Sequence, residues 1–459
     1  MCYNQKNLTT GPTLMLKLFR FVICSVFAVL MPASAFSFDR YVEHGGPVKD
    51  FSLSPDGETL ASASYDYSIV LWDSHTLVSK SRLIGHDAAV VSLDFSPDGR
   101  VLVSGGDDYK ALVWDLATGQ SARAETEPIA ALEHEGKITD VTVSPDGQFI
   151  ATSSWDGGVY LWSAQTYERI TKLTGHKGPV NAVQFSQSKT SLYSAGTDGE
   201  IKAWDLSRLS LESTLARNGW GINVFHVDEE QGFVAFGAAN GKAVIRSLSN
   251  GETLYSLEES NAPVLALDYH ASSQLLGFGN AKGRVLLIDT KTAETLVDVK
   301  AASGPVWALK LLPHSQSIVT GGLDDAITRF DLGDPPWNFT LTIEQPRRFA
   351  AKGREISNGE KQFLRKCSIC HTLSADGKFR AGPSLYNVFG RRAGTLEGYP
   401  YSDALKESQV IWTEETISDL FSKGPHIVTP GSKMPLQKII NDTDRSDLIT
   451  YLKEASALE

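Results

Sequence analysis

Two cysteines and a histidine stand together at Cys367-Ser368-Ile369-Cys370-His371. A C-x-x-C-H run has the residue types that fix a haem covalently. The two thiols become thioether links to the vinyl groups, and the adjacent imidazole becomes an axial ligand of the iron. Two other chemistries draw on the same side chains. A zinc site needs four ligands, for which Cys367, Cys370, His371 and His426 could be drafted. A thiol-redox C-x-x-C wants a βαβ setting, which this stretch lacks. A haem iron held by His371 calls for a second axial ligand that is soft and neutral. Met434, in the run Thr429-Pro-Gly-Ser-Lys-Met434-Pro435, supplies one 63 residues further on. The other three of the four methionines are Met1, Met15 and Met31, all N-terminal.

These residues need elements to hold them. Ser357-Asn358-Gly359-Glu360 starts a helix that carries Ile356, Phe363 and Leu364 on one side and ends at the cysteines. A last helix from Asp444 to Ala457 places Leu448, Ile449, Tyr451 and Leu452 on a broad apolar face. Between them the chain is rich in loops: Gly382-Pro383, Gly390, Gly394, Gly398 and Pro400. A domain of this size with so little regular structure has a thin core. A covalently held porphyrin would fill the gap.

The order and spacing of these motifs resemble a class I cytochrome c, close to the mitochondrial and bacterial c-two type. The shared motifs are Gly359, Phe363, Cys367-x-x-Cys370-His371, Gly382-Pro383, Phe389-Gly390-Arg391, Tyr399-x-Tyr401, Trp412, Pro430-Gly431-x-x-Met434 and Leu448-x-x-Tyr451-Leu452. The resemblance implies one haem c, linked through Cys367 and Cys370, with His371 and Met434 as axial ligands. It implies that the Pro383 carbonyl orients His371, and that Arg391, Tyr401 and Trp412 contact or neutralise the propionates. It also implies that Gly359 and Phe363 pack against Tyr451. One position departs from the pattern. Where many members carry a tyrosine that reaches the methionine sulfur, this chain has Leu420 and Phe421, neither of which donates a hydrogen bond. Lys378, Arg380, Lys433 and Lys438 remain as a thin basic rim.

The chain before these motifs is long and repetitive. Trp72, Trp114, Trp162, Trp204, Arg246, Ile288 and Phe330 anchor seven units, with steps of 42, 48, 42, 42, 42 and 42 residues. The long step holds an insertion near Arg123-Ala-Glu-Thr-Glu-Pro128. Each unit runs from an alternating strand such as Val91-Ser-Leu-Asp-Phe95 through Ser96-Pro-Asp-Gly99 into a small-residue strand. An Asp turn and a strand ending in Trp-Asp follow, which is a β-meander pattern. The units resemble the WD-repeat β-propeller family. In that family His44, His86, His134 and His176 would join Asp66, Asp108, Asp156, Asp198, the tryptophan and a hydroxyl in a buried network. The last three units lose the Trp and the His, and strand pairing with apolar packing must hold them. Phe38-Asp-Arg-Tyr-Val-Glu43 would complete the last blade and close the ring.

At the N-terminus, Lys17 and Arg20 precede an apolar run, Phe21 to Met31, then Pro32-Ala33-Ser34-Ala35. This is a signal-peptide pattern with cleavage expected after Ala35. The run is short of the roughly 20 residues a membrane span needs; an uncleaved anchor is the alternative. Cys2 and Cys24 would leave with it, so the mature chain would hold no structural disulfide.

Composition agrees with a folded multidomain chain: 459 residues, 42 % hydrophobic and 21 % charged, with net charge −11. Nucleic acid is excluded as the main partner by that charge. From Arg347 onward there are 17 Lys and Arg against 14 Asp and Glu, and the preceding residues carry 26 against 40. A mildly basic unit therefore follows an acidic one.

The expected organisation is a signal peptide (1–35), an all-β seven-bladed propeller (36–335), a linker (336–351) and a small all-α cytochrome c domain (352–459). An iron with two protein ligands moves single electrons and does no chemistry on a substrate. The expected protein is therefore a periplasmic electron carrier rather than an enzyme, with the propeller as interaction platform. Its expected partners are redox proteins: a cytochrome bc complex, a terminal oxidase or a periplasmic reductase or dehydrogenase, with membrane contact only through them. The alternatives are a cytochrome–propeller redox enzyme, resembling the cd-type nitrite reductases or the quinoprotein dehydrogenases, and a haem-based sensor.

Overall fold

Every blade is built from one short alternating strand, one strand of small residues and two more strands, because each sheet is covered on both faces by its neighbours. The computed structural model describes residues 38–116, 127–257, 262–312, 316–332, 339–342, 356–368, 370–375, 382–399, 401–430, 432, 434, 438–439 and 441–457. The expected signal peptide and, up to Thr126, the insertion expected near Arg123–Pro128 lie outside them. The first blade contains Val48–Leu53, Thr59–Ser64, Ser68–Asp73 and Ser79–Ile84. Thr59–Ser64 is Thr-Leu-Ala-Ser-Ala-Ser and is almost wholly buried. Small residues recur at this place because the next blade presses on them. A side chain on Gly105 would stand 2.6 Å from Ile138, on the innermost strand of the following blade.

Seven sheets result, each of consecutive strands except at the seam and at the outer edge of the sixth. Phe38–Val42 pairs antiparallel with Ala326–Asp331, in register from Phe38 opposite Phe330 to Val42 opposite Ala326. The N-terminal strand thus supplies the outermost strand of the last blade and closes the ring, as expected, covering the outer edge of Ala326–Asp331. Within the stretch expected to be a linker, Phe339–Thr342 pairs parallel with Glu294–Lys300 and adds a fifth strand to the sixth sheet. An outermost strand offers a row of unpaired backbone groups, and this segment takes them up.

The buried networks form in full in three of the four expected blades, and the third blade keeps His134 and Trp162 on the Thr152 hydroxyl at 2.6 and 3.1 Å but loses the carboxylate. His44 donates from Nδ1 to Asp66 at 3.2 Å and faces the Ser62 hydroxyl at 2.6 Å, which accepts from Trp72 Nε1 at 2.8 Å. His86 with Asp108, Ser104 and Trp114 repeats this, as does His176 with Asp198, Ser194 and Trp204. Burial alone would push the Asp66 carboxyl up. The charges of His44 and Arg82 and the hydrogen bonds around it hold it well below the usual carboxylate range.

The third blade departs from expectation. Its His134 Nδ1 donates to the Leu132 carbonyl at 2.9 Å, while Asp156 accepts from the Tyr160 hydroxyl and from Lys172 at 3.3 Å. The cause is Tyr160, which stands where other blades carry Val70, Leu112 and Lys202. Its ring sits edge-on to His134, with centroids 4.5 Å apart, and takes the carboxylate. In the last three blades Ile288 and Phe330 fill the Trp position fully buried, and Arg246 lies over the Phe236 ring at 5.7 Å.

A second set of contacts ties neighbouring blades together around the axis. Asp50, Asp94 and Asp140 accept the backbone N–H groups of Leu93, Val143 and Val183 at 2.8, 2.8 and 2.9 Å. Asp268 does the same for Leu311 at 2.8 Å and also accepts Lys310 at 2.7 Å.

The C-terminal domain is helical: α1 (Asn358–Lys366), α2 (Asp403–Lys406), α3 (Glu414–Lys423), α4 (Pro425–Val428) and α5 (Asp442–Ala455). Among the described residues no helix is long and apolar enough to cross a membrane.

Candidate functional site

Helix α1 is the base of the site. Ser357 caps it by accepting the Glu360 N–H at 3.1 Å, and Asn441 caps α5 by accepting Asp444 N–H at 2.9 Å. The caps fix where each helix starts, and a glycine fixes how closely they cross. A side chain on Gly359 would meet the Tyr451 Cβ at 2.7 Å, so only glycine admits this approach. The Phe363 and Tyr451 rings then pack with centroids 5.7 Å apart, as expected. Asn358 donates to both Asp444 and Asp447 at 2.8 Å.

The crossing delivers the cysteines. The Cys367 N–H donates to Phe363 at 2.8 Å, and the N–H groups of Cys370 and His371 donate to the Cys367 carbonyl at 3.0 and 2.9 Å. The motif is therefore one helical turn continuing α1, and positions three and four apart share a face. Cys367 is 4 % exposed, and burial pushes its thiol up to about 12. Until it is alkylated it is a neutral thiol.

His371 is oriented from behind. Its Nδ1 donates to the Pro383 carbonyl at 2.8 Å. A carbonyl only accepts, so Nδ1 carries the hydrogen and Nε2 the lone pair. Gly382 makes this possible: a side chain there would fall 2.7 Å from His371 Nδ1 and 2.9 Å from the Cys370 carbonyl.

One cleft brings the expected residues together. Cys367, Cys370, His371, Pro383, Arg391, Tyr401, Trp412 and Met434 all line it, with Leu420 and Phe421 where a tyrosine was missing from the pattern. The buried cluster around it is small and includes Phe363, Ile417, Phe421, Leu448 and Leu452, with Trp412 and Met434 packed on it. Arg391 is engaged by the protein itself: its guanidinium donates to the carbonyls of Ser384 at 2.7 Å and Tyr386 at 3.0 Å. It thereby ties down the loop that follows Pro383. Tyr399 and Tyr401 meet edge-to-face at 4.7 Å. Burial raises the Tyr401 hydroxyl, against the pull of Arg391.

Of the expected basic rim, Lys438 is exposed and Lys378, Arg380 and Lys433 lie outside the described residues. The zinc alternative has no donor set: His426 is exposed on α4, and among the described residues no three of His, Cys, Asp and Glu converge as metal ligands. The donors that do converge are two thiols, an imidazole of fixed tautomer and a thioether in an apolar cleft. That set fits a covalently attached haem.

The cleft has further walls that sequence reasoning missed. Tyr67, Ile84, Gly85 and His86 of the propeller line it as well. They lie some 300 residues away in the chain, and no local pattern announces them.

Comparison with known proteins agrees with both halves of the chain. The WD domain, G-beta repeat family matches residues 37–73, 77–115, 126–163 and 167–205, the four units that keep the Trp. The cytochrome c family matches residues 356–456. Cytochrome c of Sesamum indicum is 43 % identical over 103 residues, 92 % of its length and 22 % of this chain. Cytochrome c of Kluyveromyces lactis is 39 % identical over 104 residues, 93 % of its length and 23 % of this chain. Cytochrome c2 of Blastochloris viridis is 37 % identical over 107 residues, 83 % of its length and 23 % of this chain.

Proposed function

Since residues 356–456 make this chain a member of the cytochrome c family, fused to a WD-repeat propeller and carrying haem c, we propose that it is a periplasmic one-electron carrier. Cys367 and Cys370 would hold the haem covalently, and His371 and Met434 would be the ligands of its iron. The observation that carries this reading is the 2.8 Å bond from His371 Nδ1 to Pro383. It supplies the one tautomer in which Nε2 can ligate, beside the two thiols, in a cleft that also holds the only thioether after residue 31.

Bound there, the haem supplies a reversible ferrous–ferric couple. The chain's residues set its conditions. Pro383 keeps the imidazole oriented through both states. The Met434 sulfur, a soft neutral donor, favours the reduced iron. Leu420 and Phe421 give that sulfur no hydrogen bond. Tyr401, Trp412 and Arg391 would contact or neutralise the haem propionates.

The propeller serves as a docking platform for a redox partner: a cytochrome bc complex, a terminal oxidase or a periplasmic reductase or dehydrogenase. Trp155 and Trp220 are 61 % and 64 % exposed, and both sit in loops at the same end of the blades. Large exposed aromatics at one end of a ring suit a protein partner.

An optical spectrum tests the reading. One haem per chain with the sulfur-to-iron charge-transfer band is the expected result. A second chromophore would make the protein a redox enzyme, and carbon monoxide binding to the reduced protein at neutral pH would make it a sensor. Fractionation of cells tests the location.

A further inference from the structure

In the turn between the second and third strands of a blade, Gly157, Gly199, Gly241 and Gly283 have φ of 82°, 75°, 87° and 80°. The equivalent residue in the first blade is Tyr67, at φ 71°, and in the second Tyr109, at φ 68°. A side chain is disfavoured in this left-handed region, and strain of that kind persists where something else requires the residue. The Tyr67 N–H still donates to the Ser64 carbonyl at 3.2 Å, as the Gly157 N–H does to Ser154, so the turn is the same and only the side chain is added.

Tyr67 lines the cleft that holds Cys370 and Met434. Its hydroxyl is raised to about 12, by burial first and by the nearby Cys370 second. Its ring is half-buried, whereas Tyr109 is exposed and lies outside the cleft. The neighbouring Gly85 and His86 are explained by the repeat alone: Gly85 avoids Trp114, and the pair recurs as Gly175-His176. Tyr67 is not explained in that way.

We propose that Tyr67 is a positioning residue of the haem site, supplied by the propeller. It covers the haem edge on the Cys370 side, excludes water there and so couples the propeller to the reduction potential. Water stabilises the additional charge of oxidised iron, so uncovering this edge favours the ferric state. The inference rests on the haem occupying this cleft, which the spectrum of the unaltered protein tests separately.

The test uses the full chain with three substitutions. Tyr67→Gly removes the ring and relieves the turn; Tyr109→Gly relieves the equivalent turn away from the cleft; Tyr67→Phe keeps the cover. At a fixed electrochemical poise, Tyr67→Gly should lower the ferrous-to-ferric ratio about threefold or more, with the other two close to the unaltered protein. With fluorotyrosine incorporated, the fluorine signal lost in Tyr67→Phe should shift or broaden on oxidation, and the signal lost on replacing Tyr109 should not. Equal ratios for the two glycine variants, or a Tyr67 signal blind to the iron's oxidation state, would overturn the proposal.

Discussion

The Pro383 carbonyl oxygen lies 2.8 Å from Nδ1 of His371, and Gly382, the residue before that proline, has no room for a side chain. Gly382→Ala would put a methyl group 2.7 Å from the same nitrogen. Either the ring or the loop must move, at a cost of about 1–3 kcal/mol. The expected outcome is lower haem incorporation and a weakened sulfur-to-iron band in the purified variant. An unchanged spectrum and melting temperature would show that the loop yields freely.

Met434→Ala removes the thioether from the cleft. With Leu420 and Phe421 beside it, no described neighbour there offers a replacement of the same kind. The variant should lose the charge-transfer band, bind carbon monoxide when reduced and have a lower potential. Redox titration with and without the gas measures all three. If Met434 is core packing only, the band survives in the variant.

The blade networks differ in a way that stability should report. Ser104→Ala leaves His86 Nε2 and Trp114 Nε1 buried without their shared partner. About 1–3 kcal/mol should be lost. Asp108→Ala should cost more than Asp156→Ala, since Asp108 holds its histidine at 2.9 Å and His134 is held by Leu132 instead. Urea unfolding of the variants ranks them, and equal losses would remove the distinction between the blades.

Around the ring axis, burial and the charge of Asp140 push Asp50 up to about 7, against the Leu93 N–H and Lys49. Burial likewise raises Asp94 and Asp140 to about 6. Folded carboxyls with raised values hold protons more tightly than unfolded ones. Their contribution is therefore complete below about pH 4 and is lost as pH rises through 6 and 7. The propeller should melt higher at pH 5 than at pH 8, and Asp50→Asn should flatten that slope. A slope of the opposite sign would show that these carboxylates are ionised in the folded ring.

Trp155 and Trp220 are the exposed aromatics offered to a partner. Replacing both by alanine should weaken capture of the redox partner about tenfold or more, with the haem spectrum unchanged. Binding measured at two salt concentrations separates this apolar contribution from the charge difference between the two halves of the chain. Unchanged affinity would move the docking site elsewhere.

Much of this protein is local, and what is local was legible in the chain. A blade is one strand–turn unit repeated, so its period of 42 residues, its Trp anchors and its small-residue strands all appear in order. The C-x-x-C-H turn needs only the helix before it, and Met434 stands out because no other thioether follows residue 31. Tertiary structure decided what depends on neighbours from elsewhere in the chain. Tyr160 takes Asp156 from His134 because its ring reaches across the blade. The axial aspartates bind the next blade's backbone, which no repeat pattern distinguishes from solvent. Phe339–Thr342 becomes a strand because a sheet edge is there to receive it. Tyr67 reads as one more turn residue until the fold brings it, some 300 positions from Cys370, into the same cleft.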